Sequence, residues 1–308
     1  MAFSFRQLKY FVATAEAGQV SQAAIQLNIT QSAVTAAIRE LEEVLVMRLF
    51  VRHPHGMVLT DSGRRFLRHA YGILANVEEA MLLSNWESDF RGSLSVAATY
   101  TVMGYFLPAH LRRLAALYPQ LEIRLYELPR AEIETGLLQH DFDVAVLLSS
   151  NVDNPALQLE SIISSPRRLW LPAQHPLLSN PAPTLQDIAG EPYIMLTVDE
   201  AEQTALRYWE PTSLQPAVWV RTSSVEAVRS MVANGSGVSI LSDMVYRPWS
   251  LEGRRIETVN LPDQVPPMTL GLAWKAQAEI SPSIALFRDY FHQQFLSPSS
   301  SQRSTGTR

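Results

Sequence analysis

VSQAAIQLNITQSAVTAAIRELEEVL, residues 20–45, holds two short helical patterns separated only by Asn28, Ile29 and Thr30. So tight a connection makes a sharp corner. On its N-terminal side, Leu8, Phe11, Val12 and Ala15 recur at helical spacing until Gly18 stops the run, which predicts a first helix with one apolar face. The second helix is expected to begin near Ser21, with the Ser21 hydroxyl capping its first turn. It buries Val20, Ala23, Ala24 and Leu27, and Asn28 ends it. Thr30 caps the third helix, which places Val34, Ile38, Leu41 and Leu45 on one side and Ser32, Thr35 and Arg39 on another. The apolar side anchors this helix, and the outward side, with Gln31 in the first turn, presents short amides and hydroxyls. A DNA major groove admits one helix and is read by such groups near the helix N-terminus. A helix-turn-helix is therefore the functional reading, and a three-helix cap with a merely solvated polar face is the structural alternative.

Downstream, VRHPHGMVLT alternates around a Pro and Gly turn as a two-stranded wing does, with Arg52 on its rising arm. Thr60 then caps a long pattern carrying Phe66, Leu67, Ala70, Ile73, Leu74, Val77 and Met81, with no Gly or Pro from Ile73 to about Trp86. Such a helix is too long and too apolar to stand alone on a surface. Packing against its own copy in a homodimer is the economical explanation.

Charge is distributed in keeping with this. The chain of 308 residues has a net charge of -5, yet through residue 68 eight basic residues stand against five acidic ones, giving +3 and leaving -8 for the rest. A basic N-terminal module on an acidic body suits an approach to a polyanion by the first part alone. The absence of cysteine removes disulfides, thiolate zinc sites and cysteine nucleophiles. Arg6, Lys9 and Glu16 interrupt the apolar N-terminus before a secretory core can form, and no run approaches a membrane span, so the expectation is a cytoplasmic protein.

From Gly92 onward strands alternate with helices. GSLSVAA, LEIRLYELP and DFDVAVLL read as strands, TVMGYFLPAHLRRLAALYP and AEIETGLLQH as helices. A second α/β series runs from SPRRLWLPAQHPLL through PYIMLT to VANGSGVSILS, and MTLGLAWK with SPSIALFRDYFHQQFL closes the chain. Ligands of open α/β sheets sit beyond the carboxyl ends of strands. Three such ends carry hydroxyls: Thr99, Tyr100 and Thr101; Thr197; and Ser223 with Ser224. Together with Arg130 as a charge partner they suggest a small anionic ligand, a carboxylate by preference. The alternatives are that the hydroxyls only cap helices and that Arg130 pairs with Glu127 or Glu132.

The stretches LKYFVATAEAGQVSQAAIQLNITQSAVTAAIRELEEVL, RLFVRHPHGMVLTDSGRRFL, HPLL and VANGSGVSIL resemble the LysR-type transcriptional regulators, and the resemblance covers nearly the whole chain. It implies an α+β multidomain fold: a winged helix-turn-helix over 1–60 and a linker helix over 61–91. Two effector-binding α/β subdomains of periplasmic-binding-protein type follow, over 92–163 with 268–296 and over 164–267, before a disordered tail over 297–308. It places Thr30, Gln31, Ser32 and Thr35 at DNA contacts and Ser21 and Arg52 at phosphate contacts. The implied partners are double-stranded DNA with an interrupted palindrome, a small-molecule effector and further copies of the chain, as a homodimer through the linker helix and a homotetramer through the α/β parts. No cofactor and no membrane are implied. The chain departs from the family at Ala36 and Ala37, where Arg and Gln are usual, at Val46, where Gly is usual, and at Ser242, where Pro is usual. Fewer DNA contacts per subunit follow, shifting affinity toward the wing and oligomer avidity.

Two other readings compete: a small-molecule-binding protein without DNA recognition, and an α/β enzyme. The sequence has no G-x-S-x-G, G-x-G-x-x-G, Walker loop or H-E-x-x-H, so the common hydrolase, nucleotide and zinc-protease signatures are missing. His53-x-His55 lacks a neighbouring carboxylate or cysteine and is not expected to hold a metal.

Overall fold

The computed structural model describes residues 3–27, 29–53, 56–82, 90–180, 182–261 and 265–295. The chain forms two compact units, Met1–Glu87 and Ser88–Arg308.

In the first unit, helix α1 (Phe5–Ala17) opens with a capping box: Ser4 Oγ accepts from the Gln7 N–H, and Gln7 Oε1 accepts from the Ser4 N–H at 2.7 Å. Gly18, at φ 69°, ends it in the left-handed conformation. Helix α2 (Val20–Gln26) has Gln19, not Ser21, at its N-cap. The Gln19 carbonyl already accepts from the Ala23 N–H at 3.1 Å, so the helix opens two residues early and Ser21 lies within its first turn. Helix α3 (Gln31–Leu45) begins at Thr30, whose hydroxyl accepts from the Ala33 N–H, and buries Val34, Ile38 and Leu41 against α1 and α2.

Strands β1 (Phe50–His53) and β2 (Gly56–Leu59) form an antiparallel wing in which Arg52 is paired with Met57. Two devices fix it. The first is the carboxylate of Glu42, buried at 9 % exposure, which accepts from the N–H groups of Leu49 (2.7 Å) and Phe50 (3.1 Å) and from Arg48 (3.0 Å). The second is Gly63, in helix α4 (Asp61–Leu82), where a Cβ would lie 2.1 Å from the Leu49 carbonyl oxygen. Only glycine permits that approach. Thr60 caps α4 by accepting from the Gly63 N–H at 2.9 Å. Phe66 of α4 packs on Phe11, which also meets Phe50, so helix, wing and α1 share one aromatic cluster. The predicted continuation of this helix beyond Leu82, the tail over 297–308 and His55 lie outside the described residues.

Helix α3 ends on Val46, at φ 51° and ψ 38°, with the side chain 90 % exposed. A β-branched residue is strained in this region and gains nothing from burial here. Val46→Gly is expected to stabilise the first unit by about 1 kcal/mol, after allowing for the greater unfolded-state entropy of glycine. Urea unfolding followed by far-UV circular dichroism checks this, and an unchanged or lower midpoint contradicts it.

The second unit begins with β3 (Gly92–Ala98), α5 (Tyr100–Tyr105), α6 (Leu107–Leu117), β4 (Leu121–Glu127), α7 (Arg130–Gln139) and β5 (Val144–Leu148). The single helix expected over TVMGYFLPAHLRRLAALYP is two. They break at Phe106 (φ -117°, ψ -57°) because Pro108 has no N–H with which to continue the ladder. After β6 (Leu157–Ser165) the chain crosses at Pro166 into β7 (Arg167–Pro172), α8 (Leu185–Ala189), β8 (Pro192–Leu196), α9 (Ala201–Trp209), β9 (Ala217–Thr222), α10 (Val225–Ala233), β10 (Ser239–Ser242) and β11 (Ile256–Asn260). It returns with β12 (Met268–Lys275) and α11 (Pro282–Phe295).

Five strands form one sheet in the order β4-β3-β5-β12-β6, with β3 parallel to β4 and β5 and with β12 antiparallel to both its neighbours. The second half holds a three-stranded sheet, β10-β7-β11, and the parallel pair β8-β9, linked through a Tyr193–Val238 bridge. Each half has its own apolar core: Leu94, Val96, Val146 and Phe287 in the first, Leu169, Tyr193, Trp209 and Ile240 in the second.

Candidate functional site

On the first unit, Thr30, Gln31, Ser32 and Ala33 are exposed at the start of α3, and Thr35 one turn on is half-buried. The opposite face of the same helix is fully covered by Val34, Ile38 and Leu41. Thr30 Oγ1 lies 3.0 Å from Ser32 Oγ while capping Ala33, so the two hydroxyls are held together at the helix end, where free N–H groups favour an anion. An open groove runs from this helix to the wing, lined by Thr35, Arg39, Arg48 and Val51. Ala36 is exposed and Ala37 buried, so only the first of these departures removes a side chain from the surface.

The second unit brings hydroxyls and charges from both halves to the seam between its sheets. Thr99 is 2 % exposed, and its hydroxyl has no hydrogen-bond partner among the described residues, so it does not cap α5. Tyr100 and Tyr105 reach across to pack against the apolar cluster of the second half that contains Trp170 and Val225. The Thr101 N–H donates to the carboxylate of Asp199 at 2.7 Å. Thr197 ties β8 to β9 by donating its N–H to the Thr222 carbonyl at 2.9 Å. Ser224 caps α10 by accepting from the Ala227 N–H at 3.1 Å, whereas Ser223 faces solvent. Of the three hydroxyl sets, only Thr99–Tyr100–Thr101 is thus joined to the opposite half by its own bonds.

Arg130, the first residue of α7, pairs with neither Glu127 nor Glu132. Its guanidinium donates to Glu134 and, at 3.2 Å, to Glu200 of the second half, whose other oxygen accepts from Asn151 at 3.2 Å. Burial opposes the Arg130 charge, but the two carboxylates outweigh it and raise its pKa. At another point of the seam the Tyr105 hydroxyl donates to Glu226 at 2.9 Å; burial first, and then Glu226, pushes Tyr105 up to about 12. Glu226 is gripped in turn by Arg229, whose buried guanidinium also donates to the carbonyls of Val245 (2.8 Å) and Arg247 (3.0 Å) and stacks on Trp170.

Sequence reasoning missed Asp199 and Glu200. They follow one another at φ 50° and 55°, a left-handed pair without glycine, and send carboxylates to Thr101 and Arg130. Two adjacent acids directly after a strand, in MLTVDEAEQ, were the available signal. Among the described residues no group of His, Cys, Asp and Glu side chains is placed to hold a metal ion, and no helix is long and apolar enough to cross a membrane.

A winged helix-turn-helix followed by an α/β body of two halves with a polar seam between them defines a ligand-responsive DNA-binding regulator. Residues 87–296 match the LysR substrate binding domain, and residues 5–64 match the bacterial regulatory helix-turn-helix protein of the lysR family. The chain belongs to the LysR family of transcriptional regulators. It is 26 % identical to the HTH-type transcriptional regulator GltR of Bacillus subtilis, over 94 % of this chain and 96 % of that one. To the RuBisCO operon transcriptional regulator of Allochromatium vinosum it is 28 % identical, over 94 % and 96 % respectively. Among solved structures, HinK of Pseudomonas aeruginosa, a LysR family regulator, is 29 % identical with a TM-score of 0.62, covering 95 % of this chain and 98 % of that one. These relatives and neighbours are regulators, not enzymes, and regulators of this family bind DNA and small-molecule effectors and oligomerise.

Proposed function

We propose that this regulator acts in the cytoplasm and reads an interrupted palindrome in double-stranded DNA. The assembly is a homodimer through α4, doubled into a homotetramer through the α/β parts. Gln31, Ser32 and Thr35 meet base edges, Thr30 closes the helix end against the backbone, and Ser21 and Arg52 meet phosphates. The observation that carries this is the division of α3 into a covered apolar face and an exposed polar N-terminal end. Base edges specify and phosphates position, so substitutions separate the two roles. Ser32→Ala is expected to weaken operator binding about tenfold and random DNA hardly at all, whereas Arg52→Ala weakens both and flattens the dependence on salt. Gel shifts on operator and scrambled duplexes across a salt series test this; equal loss on both duplexes from Ser32→Ala contradicts it.

The effector is a small anion held between the halves of the second unit. Thr99, Tyr100, Thr101, Thr197, Ser223 and Ser224 lie on the strand ends that would enclose it. Arg130 takes part only if its bond to Glu200 opens. An effector that prefers one arrangement of the halves changes how the subunits pack, and with it the spacing of the DNA-reading helices; equal affinity for both arrangements would change nothing.

A further inference from the structure

The charged groups of the seam are already satisfied by the chain itself: Asp199 on Thr101, Glu200 and Glu134 on Arg130. Next to Asp199 a narrow cavity, with about 40 Å³ open to the centre of a water-sized sphere, runs into the second half, lined by Arg167, Tyr193, Tyr208, Leu148, Met195 and Met268 among others. Strand alternation explains why a cation stands there. Arg167 shares a face of β7 with Leu169 and Leu171, which pack in the core with Tyr193, Tyr208 and Ile240. Its neighbour Arg168 turns to the other face and pairs with Asp243 at 2.8 Å. No carboxylate among the described residues pairs with Arg167; its one hydrogen bond there is donated to the Pro266 carbonyl. Arg167 is half-buried, lines the cavity with two phenols and has no carboxylate paired to it among the described residues, so an anion entering there would complete it.

We infer that Arg167, with the hydroxyls of Tyr193 and Tyr208, receives the single negative charge of the effector, and that the effector is a compact monocarboxylate with an apolar remainder. This rests on the effector reading above and replaces Arg130 as the charge partner. The remaining surface is largely aliphatic, from Leu148, Met195, Leu241 and Met268, which suits a hydrocarbon body. Asp199 lines the same cavity, so a second negative charge on the ligand would face a carboxylate. The electrostatics agree with a site short of an anion: burial lowers the Arg167 pKa and raises those of Tyr193 and Tyr208, which Arg167 pulls back. The Tyr193 hydroxyl accepts from the Ile240 N–H at 3.1 Å, and both tyrosines are packed into the core of the second half, so they are in place before any ligand arrives.

Calorimetric titration of the full chain tests this with hexanoate and phenylacetate, their uncharged amides, and the dianion adipate. At least one monocarboxylate is expected to bind, with its amide and adipate weaker by about tenfold or more. Arg167→Gln should weaken the acid about tenfold and erase its advantage over the amide, Arg167→Lys should restore part of it, and Tyr208→Phe should weaken it severalfold. Arg124→Gln, which removes an exposed cation of β4 paired with Glu122, should leave it within about twofold. Tryptophan-detected melting of each variant without ligand separates a folding defect from a binding one, and Tyr208→Phe, which leaves no void, decides if Arg167→Gln does not fold. Loss of acid binding in Arg130→Gln with Arg167→Gln unaffected overturns the Arg167 site while leaving a cleft-bound anion standing. Amides binding as well as acids, adipate binding best, or neither monocarboxylate binding below about 10 mM overturns it as well. Operator gel shifts on the same variants report the DNA reading independently.

Discussion

Replacing Glu42 with alanine is expected to destabilise the winged unit by about 3 kcal/mol and to abolish operator binding with it. The carboxylate is the acceptor for two successive backbone N–H groups, Leu49 and Phe50, where the chain leaves α3 and enters the wing. Removing it strands both donors in a buried place, each at about 1–3 kcal/mol, and frees Arg48. Glu42→Gln keeps an acceptor for both groups and is expected to cost only about 1 kcal/mol. The measurement is clean in a Trp86→Phe background, because the other five tryptophans, Trp170 to Trp274, all lie in the second unit. Circular dichroism follows helices of both units, while tryptophan fluorescence follows the second. Glu42→Ala should lower the unfolding midpoint seen by circular dichroism and leave the fluorescence transition in place. A shift of both together, or of neither, would show that the carboxylate is not the anchor of the wing.

Arg229→Ala is expected to do the converse, at about 4 kcal/mol. The Arg229 side chain is 2 % exposed and serves five demands at once: two oxygens of Glu226, the carbonyls of Val245 and Arg247, and the face of Trp170. Truncation leaves two carbonyls and a carboxylate without their cation and a void beneath the indole, which is the costly way to break a buried pair. Burial alone would raise the Glu226 pKa, yet Arg229 and the Tyr105 hydroxyl hold it below the usual carboxylate value. A depressed carboxylate contributes stability above its unfolded pKa and loses it as pH falls through the folded value. The gap between wild type and Arg229→Ala should therefore narrow in acid. Fluorescence-detected urea unfolding at neutral and acid pH checks both points, and a gap that widens in acid would reverse the assignment.

What the sequence made legible was local. The cap at Thr30 and the spine Val34, Ile38 and Leu41 are set by groups within a turn or two of one another, and the structure has them where the spacing requires. Thr60 behaves likewise at the start of α4. Ser21 failed as a cap because Gly18 and Gln19 had already turned the chain into α2. The break at Phe106 is hidden in a pattern whose apolar period runs on through Tyr105 and Leu107, and only the missing N–H of Pro108 betrays it. The seam was legible as a region but not as a set of partners. Arg130 takes Glu200, 70 residues away, over the nearer Glu127 and Glu132, because the packing of the two halves, which no local spacing encodes, decides which carboxylate arrives. Arg167 is hidden for the same reason: in SPRRLWLP nothing distinguishes it from Arg168 until the strand has a front and a back.

The position of β12 sets the order in which the second unit can be completed. It lies between β5 and β6, yet the ribosome makes it after every other strand among the described residues. Until it emerges, β5 is a wholly apolar edge with unmet carbonyls and amides, and β6 has no neighbour in its sheet. The nascent chain thus holds an adhesive ribbon open while residues 167–260, continuous in sequence, assemble the other half. A C-terminal truncation that removes β12 is expected to leave that ribbon open and the product prone to aggregate, whatever the ligand.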